Sequence, residues 1–317
     1  MKKRVDRRVT GLEIRYVRYS SAQGRLIFMR IWKCVLKNGW NKRTARQCFL
    51  PRHMAASIAV RHPKLKVLNC DLSNRSANLR SYFGRMYEAQ FVEGLIAGLL
   101  SRSGKIGYLA DFPNAGMISC INAFAQGASM TCPDAKVYVA WSISGREQVD
   151  KVLLDPALDL IEYQQDFEKE VGRLPSGLYF TAQQEKEYRI SSTYWNWTLF
   201  YEKMIRGLLN GTFKNTSTSH AKAVTYWWGL SSGIVNIEYD TKYLGRSDRL
   251  IRFMEQETIS GDLDPFQGPL RDQTGKLICP EGDSLTTEQR THMEWLLDSV
   301  VGEKPDKDAG RIHYVSR

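Results

Sequence analysis

No run of about 18 consecutive apolar residues occurs in the 317-residue chain, so the sequence predicts no membrane-spanning helix. Cysteine is sparse and unpatterned: Cys34, Cys48, Cys70, Cys120, Cys132 and Cys279 form no CxxC pair and have no histidine at metal-ligand spacing, which suggests neither a zinc site nor a disulfide framework. Cys70 and Cys120 read as small core hydrophobes. Catalytic signatures are missing as well. There is no G-x-S-x-G elbow, no H-E-x-x-H pair and no G-x-x-x-x-G-K-[ST] phosphate loop, and the histidines at 53, 62, 220, 292 and 313 are not paired with acids at motif spacing. An enzyme is therefore the weakest of three readings. No metal and no cofactor is implied.

Acids are nearly absent from the front of the chain. Up to residue 66, 18 Lys and Arg face only Asp6 and Glu13, a local balance of +16, whereas the remainder holds 27 basic against 32 acidic residues, or −5. The net charge of +11 thus belongs to one short segment. Such a segment suits nucleic acid or an anionic membrane surface. Its basic residues are scattered among Ile, Val and Trp without helix-turn-helix or zinc-finger organisation, which favours a solvated or poorly structured extension with non-specific polyanion binding.

The informative stretch is residues 82–141. Val92, Leu95, Ile96 and Leu99 recur at helical spacing, with Gly94 and Gly98 one turn apart to permit close backbone approach, and Gly104 stops the helix. Ile106 to Ala110 reads as a buried strand, Ile118, Ile121, Phe124 and Ala125 as a helix face, and Val137 to Trp141 as the next strand. Strand, helix, strand with short links is a βαβ unit, which requires a parallel sheet. Open α/β sheets bind ligands beyond the carboxyl ends of their strands, which marks Asp111, Phe112 and the segment after Trp141.

The string SYFGRMYEAQFVEGLIAG, followed by KIGYLADFP, INAFAQGA and PDAKVYVAW, closely resembles the basic membrane protein family, the substrate-binding components of ABC-type nucleoside importers. Blocks continue in the expected order through YWNWTLFYEKMIRGLLNGTF, YWWGLSSGIVNI, SGDLDPFQGPLRDQTGKL and MEWLLDSVVGEKP, so the resemblance spans roughly residues 62–305. It implies a two-lobed, periplasmic-binding-protein-like α/β fold with parallel sheets flanked by helices, and a ligand closed between the lobes. It also implies a permease partner and a place on the extracytoplasmic face of the membrane. Family members begin with an export signal, a lipid-attachment cysteine and a first strand and helix. Here Ile27 to Trp32 is too short and too interrupted by Arg30 for a signal core, and Cys34 lacks the small residues expected before a lipidated cysteine. The expectation is an incomplete first lobe, with a cytoplasmic location left open.

These readings divide the chain into a basic atypical segment (1–61), part of a first lobe (62–104), a second lobe (105–210) and a crossover returning to the first lobe with a carboxyl-terminal helix (211–317). A strand is expected from Lys66 to Cys70 and another from Leu158 to Tyr163. Helices are expected from Thr198 to Leu209, from Ser247 to Ser260, and after the capping box of Thr286 and Gln289, with Met293, Leu296, Leu297 and Val300 as the last apolar stripe. PLRDQTGKL reads as a hairpin turning at Thr274-Gly275, and turn chemistry accounts for Asp272 and Gln273.

For the ligand, an aromatic wall with Asp, Asn or Gln at the rim suits a purine nucleoside or base. The candidates are Asp111, Phe112, Trp141, Gln165, Asp166, Trp195 and Asn196. Each has a plainer reading as a surface, capping or core residue, and Trp197 in particular reads as core. The functional readings are a solute-binding protein for a purine nucleoside or related base, and, as the alternative, a cytoplasmic ligand sensor of the same fold coupled to nucleic acid through its basic front end.

Overall fold

The gap in side-chain volume at Gly94 and Gly98 lets two helices lie against each other at backbone distance. In the computed structural model, a Cβ at Gly94 would run into the carbonyl of Phe124, one at Gly98 into that of Ala128, and one at Gly127 into that of Phe91. Those residues belong to α1 (Met86–Leu100) and α2 (Ala115–Thr131), and Thr131 Oγ1 donates across the seam to the Leu95 carbonyl at 2.9 Å. The remaining helices are α3 (Arg146–Leu153), α4 (Trp197–Leu209), α5 (Thr241–Leu244), α6 (Asp248–Ser260) and α7 (Thr287–Thr291). The structure describes residues 79–164, 175–181, 188–209 and 225–305, with shorter pieces at 7–9, 12–21, 24–34, 46–47, 60–61 and 67–69.

The chain forms two compact units, residues 1–84 with 200–228, and residues 85–199 with 229–317, so it passes from one to the other three times. The expected crossing at Gly104 is displaced to Gly84–Arg85, which gives α1 to the second unit. The cause is the helix seam above, together with the buried polar side chains of α1. Residues 229–305 also belong to the second unit rather than returning to the first, because their buried positions pack on α2 and on a strand of its sheet.

The first unit holds one sheet, built from β1 (Arg7–Val9), β2 (Leu12–Ser21), β3 (Gly24–Cys34), β4 (Arg46–Gln47), β5 (Val67–Asn69), β6 (Leu79–Gly84) and β12 (Thr225–Trp228), in that order across the sheet. Pairing is antiparallel up to β4 and parallel beyond it. The basic front end is therefore not a structureless extension in its strands. LEIRY alternates apolar and charged residues with period two, a strand pattern that the charge count conceals. Tyr82 and Phe200 are fully buried in this unit with ring centroids 4.6 Å apart, and Trp228 meets Phe200 at 5.4 Å.

The second sheet contains β7 (Lys105–Ala110), β8 (Lys136–Trp141), β9 (Leu160–Tyr163), β10 (Gly177–Phe180), β11 (Ser191–Trp195), β13 (Val235–Tyr239) and β16 (Val300–Val301), ordered β13-β11-β10-β9-β7-β8-β16. From β9 to β16 it is parallel, as the βαβ pattern requires. β10 is antiparallel to both neighbours and β13 to β11, so the sheet is mixed and β11 again runs in the direction of β7. A separate hairpin joins β14 (Leu270–Arg271) to β15 (Leu277–Cys279). Its turn has Gly275 at φ +83° and Asp272 Oδ1 accepting from the amides of Thr274 and Lys276, while Gln273 Nε2 donates to the carbonyls of Val300 and Gly302.

The capping box forms as expected, with Thr286 Oγ1 and the Gln289 side chain exchanging bonds with backbone, but the helix it opens is only Thr287–Thr291. Met293, Leu296, Leu297 and Val300 are buried, though not as a helical stripe. Asn122 of α2 takes over: its Oδ1 accepts from the Leu297 amide at 2.9 Å and its Nδ2 donates to the Trp295 carbonyl at 2.8 Å, which holds the chain open until Val300 joins β8.

The interior of the second unit contains an unusual set of polar side chains. Gln90, at 0% exposure, donates from Nε2 to Glu93 at 2.8 Å and Thr193 at 2.9 Å, with Glu162 at 3.4 Å, and accepts from the Tyr108 hydroxyl at 2.8 Å. Gln164 donates to Tyr108, and Ser191 donates to Glu93 at 2.7 Å. Burial, opposed by these hydrogen bonds, pushes the Glu93 carboxyl up to about 7. Burial, reinforced by the neighbouring Glu93, raises Glu162 well above the usual carboxylate range. Glu162 Oε2 receives no hydrogen bond among the described residues, which adds to the cost of its charged form.

Both carboxyls hold protons in the folded state that the unfolded chain releases. Their favourable contribution is complete below the ordinary carboxylate range and is lost as pH rises from about 4.5 through about 7. Unfolding free energy should therefore fall across that window, by up to about 1.4 kcal/mol per pH unit for each proton involved. Glu162→Gln should flatten the fall, which denaturant titrations at pH 5, 6, 7 and 8 would measure.

Candidate functional site

A strand that ends in a parallel sheet leaves its last carbonyls and the following loop at one edge. β7, β8, β9 and β11 all end at the same edge of the second sheet, because β11 regains their direction after antiparallel β10. This brings Asp111, Phe112, Trp141, Trp195 and Asn196 to a common edge. Gln165 and Asp166 lie outside the described residues.

Each has an observable environment. Asp111, half-buried, accepts from Ser142 Oγ through Oδ1 at 2.7 Å, joining the ends of β7 and β8. Phe112 is half-buried and Pro113 buried behind it; Asn114 then caps α2, its Oδ1 accepting from the Met117 amide at 3.0 Å. Trp141 is 2% exposed and its Nε1 has no hydrogen bond among the described residues, so its ring belongs to the core rather than to an open stacking platform. Asn196 has the plainer role: its Oδ1 accepts from the Leu199 amide at 3.1 Å and caps α4.

Trp195 lies against Trp197 with ring centroids 5.0 Å apart and planes within 10°. Trp197 is half-buried, not the sealed core residue expected, because a stacked tryptophan satisfies much of its contact area at the surface. Trp195 cannot form the second face of a sandwich with Phe112. β11 stands three positions from β7, roughly 14 Å at ~4.8 Å per strand.

The concavity at this edge is a cavity of about 310 Å³, lined by Phe112, Pro113 and Ile118 on one side and by residues 291–294 on the other. Residues 291–294 carry Thr291, His292, Met293 and Glu294 and were not singled out from the sequence as binding residues. They reach the cavity because α7 stops early and Asn122 holds the following chain along α2; Asn122 Nδ2 also contacts Met293 Sδ at 3.1 Å. The signal was not local, since Asn122 and Leu297 are 175 positions apart. His292 Nδ1 lies 3.0 Å from the Glu288 carbonyl and 3.1 Å from Thr291 Oγ1.

A second cluster with strong electrostatics flanks α1 at its start. Arg85 Nε pairs with Glu88 at 3.0 Å, and Glu88 also accepts from the Leu230 amide at 2.8 Å; burial raises its carboxyl despite both. A side chain at Gly229 would collide with Glu88. Arg290 pairs with Asp264 and donates to the Leu285 carbonyl at 2.7 Å, and burial pushes the neighbouring Tyr87 phenol up to about 12. These bonds tie chain segments together. Among the described residues no group of three or more His, Cys, Asp and Glu side chains is placed to hold a metal ion.

An α/β sheet with helices about it and a ligand-sized concavity beyond its strand ends is the architecture of periplasmic-type solute-binding proteins. An ABC transporter solute-binding protein of Conexibacter woesei shares that fold, with a TM-score of 0.50 over 67% of this chain and 75% of its own, at 12% identity. The family model described as ABC transporter substrate-binding protein, PnrA-like, matches residues 49–145. A purine-binding protein of Brucella abortus is 25% identical over 264 residues, covering 78% of this chain and 72% of that relative. A putative ABC transporter glucose-binding protein of Haloferax volcanii is 26% identical over 242 residues, covering 72% of this chain and 57% of its own length. Residues 49–145 thus resemble the PnrA-like substrate-binding proteins of ABC transporters, and the chain shares the fold of a solute-binding protein.

The Asn122 bonds should be costly to lose, since Asn122→Ala leaves a buried amide and a buried carbonyl unpaired at ~1–3 kcal/mol each. The expected outcome is a loss of about 2–4 kcal/mol of stability. Hydrogen exchange should accelerate at the Leu297 amide more than within β7, which mass spectrometry would read.

Proposed function

We propose that the chain binds a purine nucleoside or free purine base at the carboxyl edge of the second sheet and hands it to an ABC permease at the extracytoplasmic face of the membrane. The observation that carries this reading is the cavity behind Phe112. Its wall of Phe112, Pro113, Ile118 and Met293 is apolar, and its volume lies at the lower end of the range of about 300–1,000 Å³ found for small-ligand sites. A flat heteroaromatic ring gains from such a wall. The polar groups of the lining, Asn114, Thr291, His292 and Glu294, lie at its rim, and Asn114 is engaged in capping, which suits a ring with a polar edge better than a hexose polar on every side. The purine named for the Brucella relative supports the choice over the sugar named for the haloarchaeal one. Asp111, next to Phe112 and still able to accept, suits the hydroxyls of a ribose.

The test is a thermal-shift panel of purine and pyrimidine nucleosides and bases with the purified protein. A purine should raise the melting temperature by mass action and be recovered unchanged. No shift at millimolar concentration would overturn the reading, and release of free base would point to an enzyme. Phe112→Ala should weaken purine binding by about 1–3 kcal/mol, the worth of one stacking face, with little change in melting temperature; titration calorimetry separates the two effects.

The +16 charge of the first 66 residues supports a separate, sequence-independent affinity for polyanions. Removing residues 1–60 should abolish binding to duplex DNA at low salt. Full-length binding that fades steeply with added salt is expected, and a strong sequence preference would favour the sensor reading instead.

A further inference from the structure

We infer that His292 is a specificity-determining residue for the purine, its Nε2 accepting a hydrogen bond from an N–H on the edge of the base. This rests on the purine reading above. The chemistry follows from the other ring nitrogen. The Glu288 carbonyl can only accept, so the Nδ1 atom 3.0 Å away carries the hydrogen in the neutral ring, and Thr291 Oγ1 at 3.1 Å shares it. Nε2 is then a bare acceptor, and it has no partner among the described residues.

Its position is set by structure on both sides. Thr286 and Gln289 cap the short helix that precedes it, and Met293, directly after it, is fully buried against Asn122. The exposed imidazole is therefore among the side chains that line the cavity together with Phe112, on a segment pinned before and after. A ring resting on Phe112, Ile118 and Met293 presents its edge, not its face, to the remaining polar rim. An acceptor there selects bases that carry a donor over those that carry none. Adenine offers its exocyclic amine, and hypoxanthine and guanine offer N1–H.

The experiment compares adenosine, inosine and guanosine with purine riboside, which has the same ring and sugar but no base-edge donor. Wild-type protein and His292→Ala are titrated calorimetrically with each. The wild type should bind at least one donor-bearing nucleoside ten or more times more tightly than purine riboside, and His292→Ala should bring that ratio close to one while changing purine riboside affinity less than threefold. An unchanged ratio in the variant overturns the inference and leaves the purine reading standing. Wild-type protein that binds none of the four overturns both. As a second readout that needs no variant, the His292 Nε2 chemical shift should move with the donor-bearing nucleoside and stay in place with purine riboside; equal shifts for both would overturn the assignment.

Discussion

The Gln90 carboxamide is the interaction on which the second unit depends. Helix α1 is buried along nearly its whole length, and a helix in that position has no water to satisfy polar side chains. Gln90 meets the problem by bonding at once to Glu93 on its own helix, Thr193 on β11 and Tyr108 on β7, with Glu162 on β9 close by. A satisfied buried network of this kind specifies one register for the helix over the sheet, where apolar packing alone would accept several. It also obliges two carboxyls to stay inside the protein, which they do by holding protons.

The same fixed helix determines what happens at the sheet edge. Because Gly94, Gly98 and Gly127 bring α2 to backbone distance from α1, the start of α2 and the loop from Asp111 to Asn114 have little freedom. Asn122, one side of that helix, then reaches the carboxyl-terminal chain and lays it along α2. The cavity is the space left between these two constrained walls. Both walls are held by contacts within the protein, so a ligand at the proposed site would meet a low ordering cost.

Much of this was legible in local pattern. The helix from Met86 and the strands at 105–110 and 136–141 follow from periodicities of 3.6 and 2, and the ordered blocks resemble the family whose model matches residues 49–145. The positions of Asp111 and Phe112 at a strand end follow from the βαβ rule without coordinates. Glu93 and Glu162 were not legible, because an isolated acid within FVEGLIAG or LIEY carries no mark of a partner 69 positions away; only folding brings them to one amide. Trp141 and Trp195 could not be told apart, since both end strands and differ only in what packs over them.

The charge of the front end, by contrast, obscured a strand pattern that was present in the sequence. Met293 to Val300 shows the limit most clearly. Its spacing is helical, its capping box is real, and its apolar residues are buried as the sequence requires. Yet an extended path won, because two hydrogen bonds from Asn122 and a parallel pairing with β8 are available only after α2 is in place. The sequence by itself determined which residues must leave water and which residues stand at strand ends, since both are set by local periodicity and connection rules. Tertiary structure alone decided which unit α1 joins, where the last helix stops and that His292 and Phe112 line one cavity, because each rests on contacts between residues far apart in the chain.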